Sequence, residues 1–249
     1  MEIVAPTTFT YNLLQSPLTA AAESSLSGPQ KLLAALYLIH YANRALISPY
    51  RTPSRSKSHI VVPMSGILFN VLNGSLMGSY VSSPNANRHL SGAFSHPTFY
   101  IGVFLWTIGF VGNVWHDEIL INIRKNKNKE AKKTDEKPKS SKEHYAIPQG
   151  GMYSLISFPN YFCEWVEWFG FALAASPLPL THALSISGLE AFFTTPSSVW
   201  APRLTPPWIF LLNELVLMFP RAYNGQKWYR KTFGDKFPQD RKIVIPFLL

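Results

Sequence analysis

Apolar residues in this chain gather into runs over approximately 30–48, 59–82, 98–122, 152–177 and 206–220, and no other feature restricts its possible folds as much. Most of these runs are close to the roughly 20 residues a helix needs to cross a hydrocarbon core. In lipid, every backbone N–H and C=O must find its partner within the segment, so runs of this length predict helices rather than strands. The expected fold is all-α, a multi-span transmembrane helical bundle in which residues 1–249 form a single membrane-embedded domain. The last run needs the following turn to reach full length. Residues 1–22 begin almost directly on an apolar segment interrupted by Pro6 and Pro17, as though a helix were entered partway along.

The connectors differ in charge. Arg51, Arg55 and Lys57 follow the first run, a Lys-rich stretch occupies 124–143, and a basic tail extends from Arg221 to Lys242. The 83–96 connector and the Pro-rich 178–205 segment are less basic. By the positive-inside rule, the first loop, the Lys-rich loop and the C-terminus face the cytosol, with helix parity to match. The formal charge of +9 therefore reports orientation and attraction to anionic head groups, and nucleic acid is not an expected partner. Residues Lys125–Lys142 mix Lys, Asn, Glu and Ser without apolar periodicity, which predicts a solvated, mobile cytosolic loop at about 124–145.

A single cysteine, Cys163, excludes an internal disulfide framework and a cysteine-rich zinc site. Met1-Glu2-Ile3-Val4-Ala5-Pro6 has no basic segment before an apolar core, so targeting must come from the spans. Asn73-Gly74-Ser75 matches a glycosylation sequon, but inside an apolar span it could carry no glycan.

Ionisable groups at membrane depth cost roughly 2.5–3.5 kcal/mol each, so their spacing is informative. Asn113, Asp117 and Arg124 fall on one side of a helix. Asn160, Glu164 and Glu167 repeat the pattern in the next span, with Trp165 and Trp168 interleaved, and His40, Tyr41 and Arg44 cluster near the cytosolic end of an earlier one. Each face alone fits interhelical hydrogen bonding as well as a binding role. Three such faces in one bundle favour a shared polar pocket, and position alone does not identify its ligand. His116-Asp117-Glu118 points to different helix faces and has no second ligand motif, so no metal site is expected.

Tyr145-Ala146-Ile147-Pro148-Gln149-Gly150-Gly151, then Ser157-Phe158-Pro159-Asn160-Tyr161, then Glu164-Trp165-Val166-Glu167-Trp168-Phe169-Gly170 resembles the signature of the steroid 5-alpha-reductase family. Leu38-Ile39-His40-Tyr41 with Arg44, Gly112-Asn113 with Asp117 and Arg124-Lys125, and the ending from Trp228-Tyr229 through Phe237-Pro238, Arg241-Lys242 and Ile245-Pro246-Phe247 join it in the family's order. Met1-Glu2 followed by Pro6 resembles the family's second-helix motif. The resemblance thus implies that the chain begins within the second of seven helices, lacks the first, and carries about six.

The resemblance also implies an NADPH-dependent reductase of the endoplasmic reticulum that reduces the conjugated C=C bond of a 3-oxo-delta-4 steroid or similar lipid enone. Its implied partners are the bilayer and the lipid substrate, with no obligate protein partner. Tyr41 and Glu2 are the implied catalytic pair, Tyr41 donating to the 3-oxo group and a protonated Glu2 sharing that task. Arg44, Arg124, Arg221 and Arg241 would supply cations to NADPH, while Asn113, Asp117, Tyr145, Asn160, Glu164 and Tyr229 complete the cofactor set. No Gly-x-Gly-x-x-Gly follows a strand, so the dinucleotide site is not of the Rossmann kind.

The sequence departs from the family near Arg221–Tyr229, where histidine is usual. That departure weakens Gly225 and Gln226 as ligands. The 178–205 segment is also longer and richer in proline than the family's turn. Polyprenol reductases and very-long-chain enoyl-CoA reductases share the C-terminal pattern and provide alternative substrates. A truncated, noncatalytic membrane paralogue is the alternative of a different class.

Overall fold

The computed structural model describes residues 1–16, 18, 25–52, 59–133, 146–179 and 204–248, without the side chains of 127–133. Tyr145 and most of the Pro-rich 178–205 segment lie outside the described residues. The expectation of an all-α chain holds for the described part. Its helices are α1 (Val4–Gln15), α2 (Gly28–Ala42), α3 (Ser48–Arg51), α4 (Val61–Val81), α5 (Pro84–Leu90), α6 (Pro97–Lys133), α7 (Pro159–Ala175) and α8 (Pro206–Phe233). A π-helical turn over Asn43–Ile47 joins α2 to α3, and the one β-type pairing among the described residues is a bridge between Ile156 and Lys242.

Two helices, Val61–Val81 and the Pro97–Asn126 part of α6, are long and apolar enough to cross a membrane by length and composition. Each presents large apolar side chains outward: Leu68, Leu72 and Leu76 on α4, and Ile101, Phe104, Ile108 and Val111 on α6. Lipid accepts such faces, whereas water penalises them at roughly 25 cal/mol per Å².

Three boundaries differ from the sequence expectation. First, the Lys-rich run expected as loop from about 124 is helical as far as Lys133. Lys, Glu and Ala are good helix formers, and a helix already nucleated in its apolar part propagates through them without needing a buried face. Second, the apolar run over 152–177 is not one helix. Gly150 and Gly151 take φ of 93° and 53°, a conformation that side chains disfavour, and a short 3-10 turn follows over Gly151–Ser154. The Ser157 and Phe158 N–H groups then donate to the Ile243 carbonyl, at 3.1 and 3.0 Å, so α7 starts only at Pro159, where a missing N–H costs nothing. Third, α8 runs on past 220 to Phe233 with Pro220 inside it, as helices in apolar surroundings tolerate when neighbours re-satisfy the freed carbonyl.

The chain divides into two units. The first contains α1, α2, α4, α5, the start of α6 up to Trp106, α7 from Trp168 and α8 up to Asn213. Here α1 lies close against α4 because Gly74 and Gly78 leave room for its backbone: a Cβ at Gly78 would stand 3.1 Å from the Leu13 nitrogen. Small residues at a crossing allow this approach between apolar helices. Gln30 accepts from the Ser27 N–H at 2.8 Å and donates to the Val81 carbonyl at 2.7 Å, tying the start of α2 to the end of α4.

The second unit contains α6 from Thr107, α7 up to Glu167, α8 from Glu214 and the C-terminal segment. A Cβ at Gly109 would stand 2.6 Å from the Cys163 carbonyl, and one at Gly112 would stand 2.7 Å from its sulfur, so α6 and α7 pack backbone to backbone. Trp165, Met218, Ala222 and Val244 form its apolar core.

Candidate functional site

Each unit holds a buried polar centre that includes residues expected at the site. In the first, Tyr37, His40 and Tyr41 line one side of α2, spaced so that a 3.6-residue period turns them inward. Tyr41 is 4% exposed, and both His40 and Asn73 are buried. The Asn73 amide on α4 donates to the Tyr41 hydroxyl at 2.8 Å and to the Tyr37 hydroxyl at 3.1 Å. The Tyr37 ring stacks on Phe9 with centroids 4.0 Å apart, and the Trp168 ring lies 4.7 Å from His40 and 4.5 Å from Phe210. The result is a pair of hydroxyls set in an aromatic wall, which suits a flat apolar molecule carrying one hydrogen-bonding oxygen.

Of the other residues expected here, Glu2 is half-buried just before α1 and makes no hydrogen bond or ion pair among the described residues. The adjacent Met1 carbonyl accepts from Asn70 at 3.3 Å, which anchors the start of the chain to α4. Arg44 sits half-buried in the π turn. π turns interrupt helices disproportionately at functional positions.

In the second unit, two of the expected stripes meet. Asn113 donates to the Glu164 carboxylate and to the Asn160 carbonyl, both at 3.0 Å, and Asn160 donates to Asp117 at 2.9 Å. Thus four residues from α6 and α7, spaced four apart on each helix, form one network. Glu167 is fully buried one turn beyond Glu164. His116 is also integrated: its Nδ1 lies 2.6 Å from the Gly112 carbonyl and its Nε2 accepts from the Met152 N–H at 3.1 Å. These partners assign the neutral ring with the proton on Nδ1.

Around this network the C-terminal segment contributes Arg241, 3% exposed. One of its terminal nitrogens donates to the Pro148 carbonyl at 3.2 Å, and its guanidinium lies 5.4 Å from the centre of the Phe237 ring. Its Nε has no hydrogen-bond partner among the described residues. Burial lowers its affinity for the proton below the usual arginine value, and the neighbouring Tyr229 and Tyr153 partly restore it. Half-buried Tyr229 stacks on Phe237 with centroids 5.6 Å apart. Arg124 and Arg221 are exposed, and neither makes a hydrogen bond or ion pair among the described residues. The structure therefore assembles Asn113, Asp117, Asn160 and Glu164 and leaves those two arginines outside the assembly.

Two residues that the sequence reading set aside are built into these centres. Gln226 donates to the Arg241 carbonyl at 2.7 Å and so fixes the segment that carries the buried guanidinium. Asn73 was visible only as a discarded sequon. Its usable signal is the stripe Asn70, Asn73, Gly74, Met77 and Gly78, all on the buried face of α4.

The α6–α7 network permits a direct test. In a double-mutant cycle of Asn113→Leu and Glu164→Leu, each single change is expected to cost about 1–3 kcal/mol by stranding its partner, and the double change less than their sum. Thermal unfolding of the detergent-solubilised protein measures this.

These features define a class: a protein helical in its described part, in which one buried centre presents hydroxyls and another presents carboxylates, amides and a guanidinium. The chain belongs to the 3-oxo-5-alpha-steroid 4-dehydrogenase family, whose model matches residues 56–195 and 198–249. It is 38% identical over 260 residues to the uncharacterized protein C9.08c of Schizosaccharomyces pombe, covering 100% of this chain and 82% of that one. It is 33% identical to 3-oxo-5-alpha-steroid 4-dehydrogenase 1 of Mus musculus, over 89% of this chain and 69% of the relative. Identity to the steroid 5-alpha-reductase DET2 of Solanum lycopersicum is 32%, over 87% and 68%.

Proposed function

We propose that this protein is an integral membrane, NADPH-dependent reductase of the conjugated C=C bond of a 3-oxo-delta-4 steroid or a similar lipid enone. The observation that carries this reading is the Tyr41 hydroxyl, buried and held by Asn73 within an aromatic wall, in a chain of this family. Addition of a hydride to the beta carbon of an enone places negative charge on the carbonyl oxygen, and a preorganised donor in a dry site stabilises that charge. Tyr41 is that donor, and Glu2 is the second. The alpha carbon then takes a proton from water.

NADPH, when bound, supplies the hydride. The residues present fit it: the partnerless Nε of buried Arg241 suits a phosphate oxygen, and Asp117 and Glu164 suit ribose hydroxyls or an amide. The Asn160 side-chain oxygen is buried without a hydrogen-bond donor among the described residues, as expected of a group reserved for a ligand. Asn113 and Tyr229 complete the set, with Arg44, Arg124, Tyr145 and Arg221 assigned by family resemblance. Arg241→Gln is expected to weaken NADPH binding about 10–100-fold with substrate affinity unchanged, as cofactor fluorescence titration would show.

The outward apolar faces of α4 and α6 support a membrane location, which we assign to the endoplasmic reticulum with the Lys-rich segment and C-terminus cytosolic. The deciding experiment offers membranes bearing the chain a 3-oxo-delta-4 steroid, an enoyl-CoA and a polyprenol. NADPH consumption with reduction of the steroid alone is the expected result. Turnover of either other substrate in its place would reassign the chain within the same chemistry.

A further inference from the structure

We infer that Asn73 is a positioning residue for the reaction, acting through Tyr41 by holding its phenol as a hydrogen-bond donor. The inference rests on the reading of Tyr41 as the donor to the substrate oxygen. One amide nitrogen serves both phenols, at 2.8 Å to Tyr41 and 3.1 Å to Tyr37. An amide nitrogen can only donate, so at this contact each phenol oxygen must accept, and the Tyr41 proton is directed away from Asn73. The opposite amide orientation would strand two N–H donors in place of one carbonyl oxygen, and donors without acceptors cost more in a dry interior.

The surroundings make the arrangement rigid. Asn73 is 6% exposed, and its side-chain oxygen has no hydrogen-bond partner among the described residues. Its neighbour Gly74 faces the α1 backbone around Ala5 and Phe9, so α4 cannot rotate without collision. Tyr37 is clamped by its stack on Phe9. A buried polar side chain with half its capacity unused is a cost to folding, and its two bonds to phenols are what that cost secures. Donation into the Tyr41 oxygen also polarises the phenol, which strengthens the bond that its own proton makes.

The test combines Asn73→Leu with Tyr41→Phe, measuring enone reduction and NADPH binding for each single and the double variant. Asn73→Leu is expected to lower kcat 10–100-fold with KM for the enone changed less than threefold, and to cost nothing further once Tyr41 is Phe. Asn73→Gln, which keeps the amide, is expected to recover at least part of the rate. Asn73→Asp provides a second variant of matching shape should the leucine protein fail to fold, and it is expected to lose the rate likewise. Equal losses in both backgrounds would show that Asn73 serves the scaffold alone and overturn the inference, as would full activity of Asn73→Leu and Asn73→Asp. Wild-type turnover by Tyr41→Phe would instead remove the reading on which the inference rests.

Discussion

Tyr41→Phe is expected to cut enone reduction by two to three orders of magnitude while leaving cofactor binding intact. The substitution removes one oxygen and keeps the ring, so the contacts of Tyr41 with Tyr37, His40 and Trp168 persist. On the proposed reading, what disappears is the donor to the developing enolate. Losing one such donor typically costs 10²–10³ in kcat, about 3–4 kcal/mol of transition-state stabilisation. The folded state loses the bond from Asn73, about 1 kcal/mol, so the thermal midpoint should fall by a few degrees. Single-turnover reduction at saturating NADPH separates these effects. A rate within a few-fold of wild type would place the donor elsewhere.

Gly109→Leu should be the most damaging change to the second centre, although it touches no polar atom. The first added carbon would stand 2.6 Å from the Cys163 carbonyl, which belongs to the α7 backbone and has no rotamer to change. The helices must therefore separate, and the Asn113–Glu164 and Asn160–Asp117 bonds of 3.0 and 2.9 Å cannot survive separation. Overpacking at roughly 1–3 kcal/mol adds to buried polar groups stranded at a similar cost each, which together rival the whole stability of an ordinary domain. The expected result is little or no monodisperse protein on gel filtration after detergent extraction. Val111→Leu, two residues along on an outward-facing position 59% exposed, should be recovered at wild-type yield and bind NADPH normally. Equal recovery of both variants would mean that α6 and α7 are not in backbone contact.

The sequence made α4 and the apolar part of α6 legible because the length and composition of a run are sufficient to specify a membrane-compatible helix. The Asn113–Asp117 and Asn160–Glu164 pairs were legible for a related reason: a four-residue repeat of costly polar groups in apolar surroundings requires a partner on the same face. Arg124 did not follow its stripe, since it lies beyond the apolar stretch, where solvent satisfies a guanidinium without any partner. The start of α7 could not be read from hydropathy. Apolar residues at 152–158 look helical, but the Ser157 and Phe158 N–H groups are taken by the C-terminal segment, and such a long-range bond leaves no trace in local pattern.

From sequence alone came the helical class, the family resemblance later matched by the comparisons, and the residue types that the proposed hydride-transfer site would require. Tertiary structure decided which of them act together. It put Asn113, Asp117, Asn160 and Glu164 into one network, buried Arg241 beneath Phe237 while leaving Arg221 in the open, and aimed Asn73 at two tyrosines more than thirty positions away in sequence. The physical reason is that helix formation depends on neighbours a few residues apart, whereas a buried polar group takes its partner from whatever the packing of glycine-lined helices brings within about 3 Å.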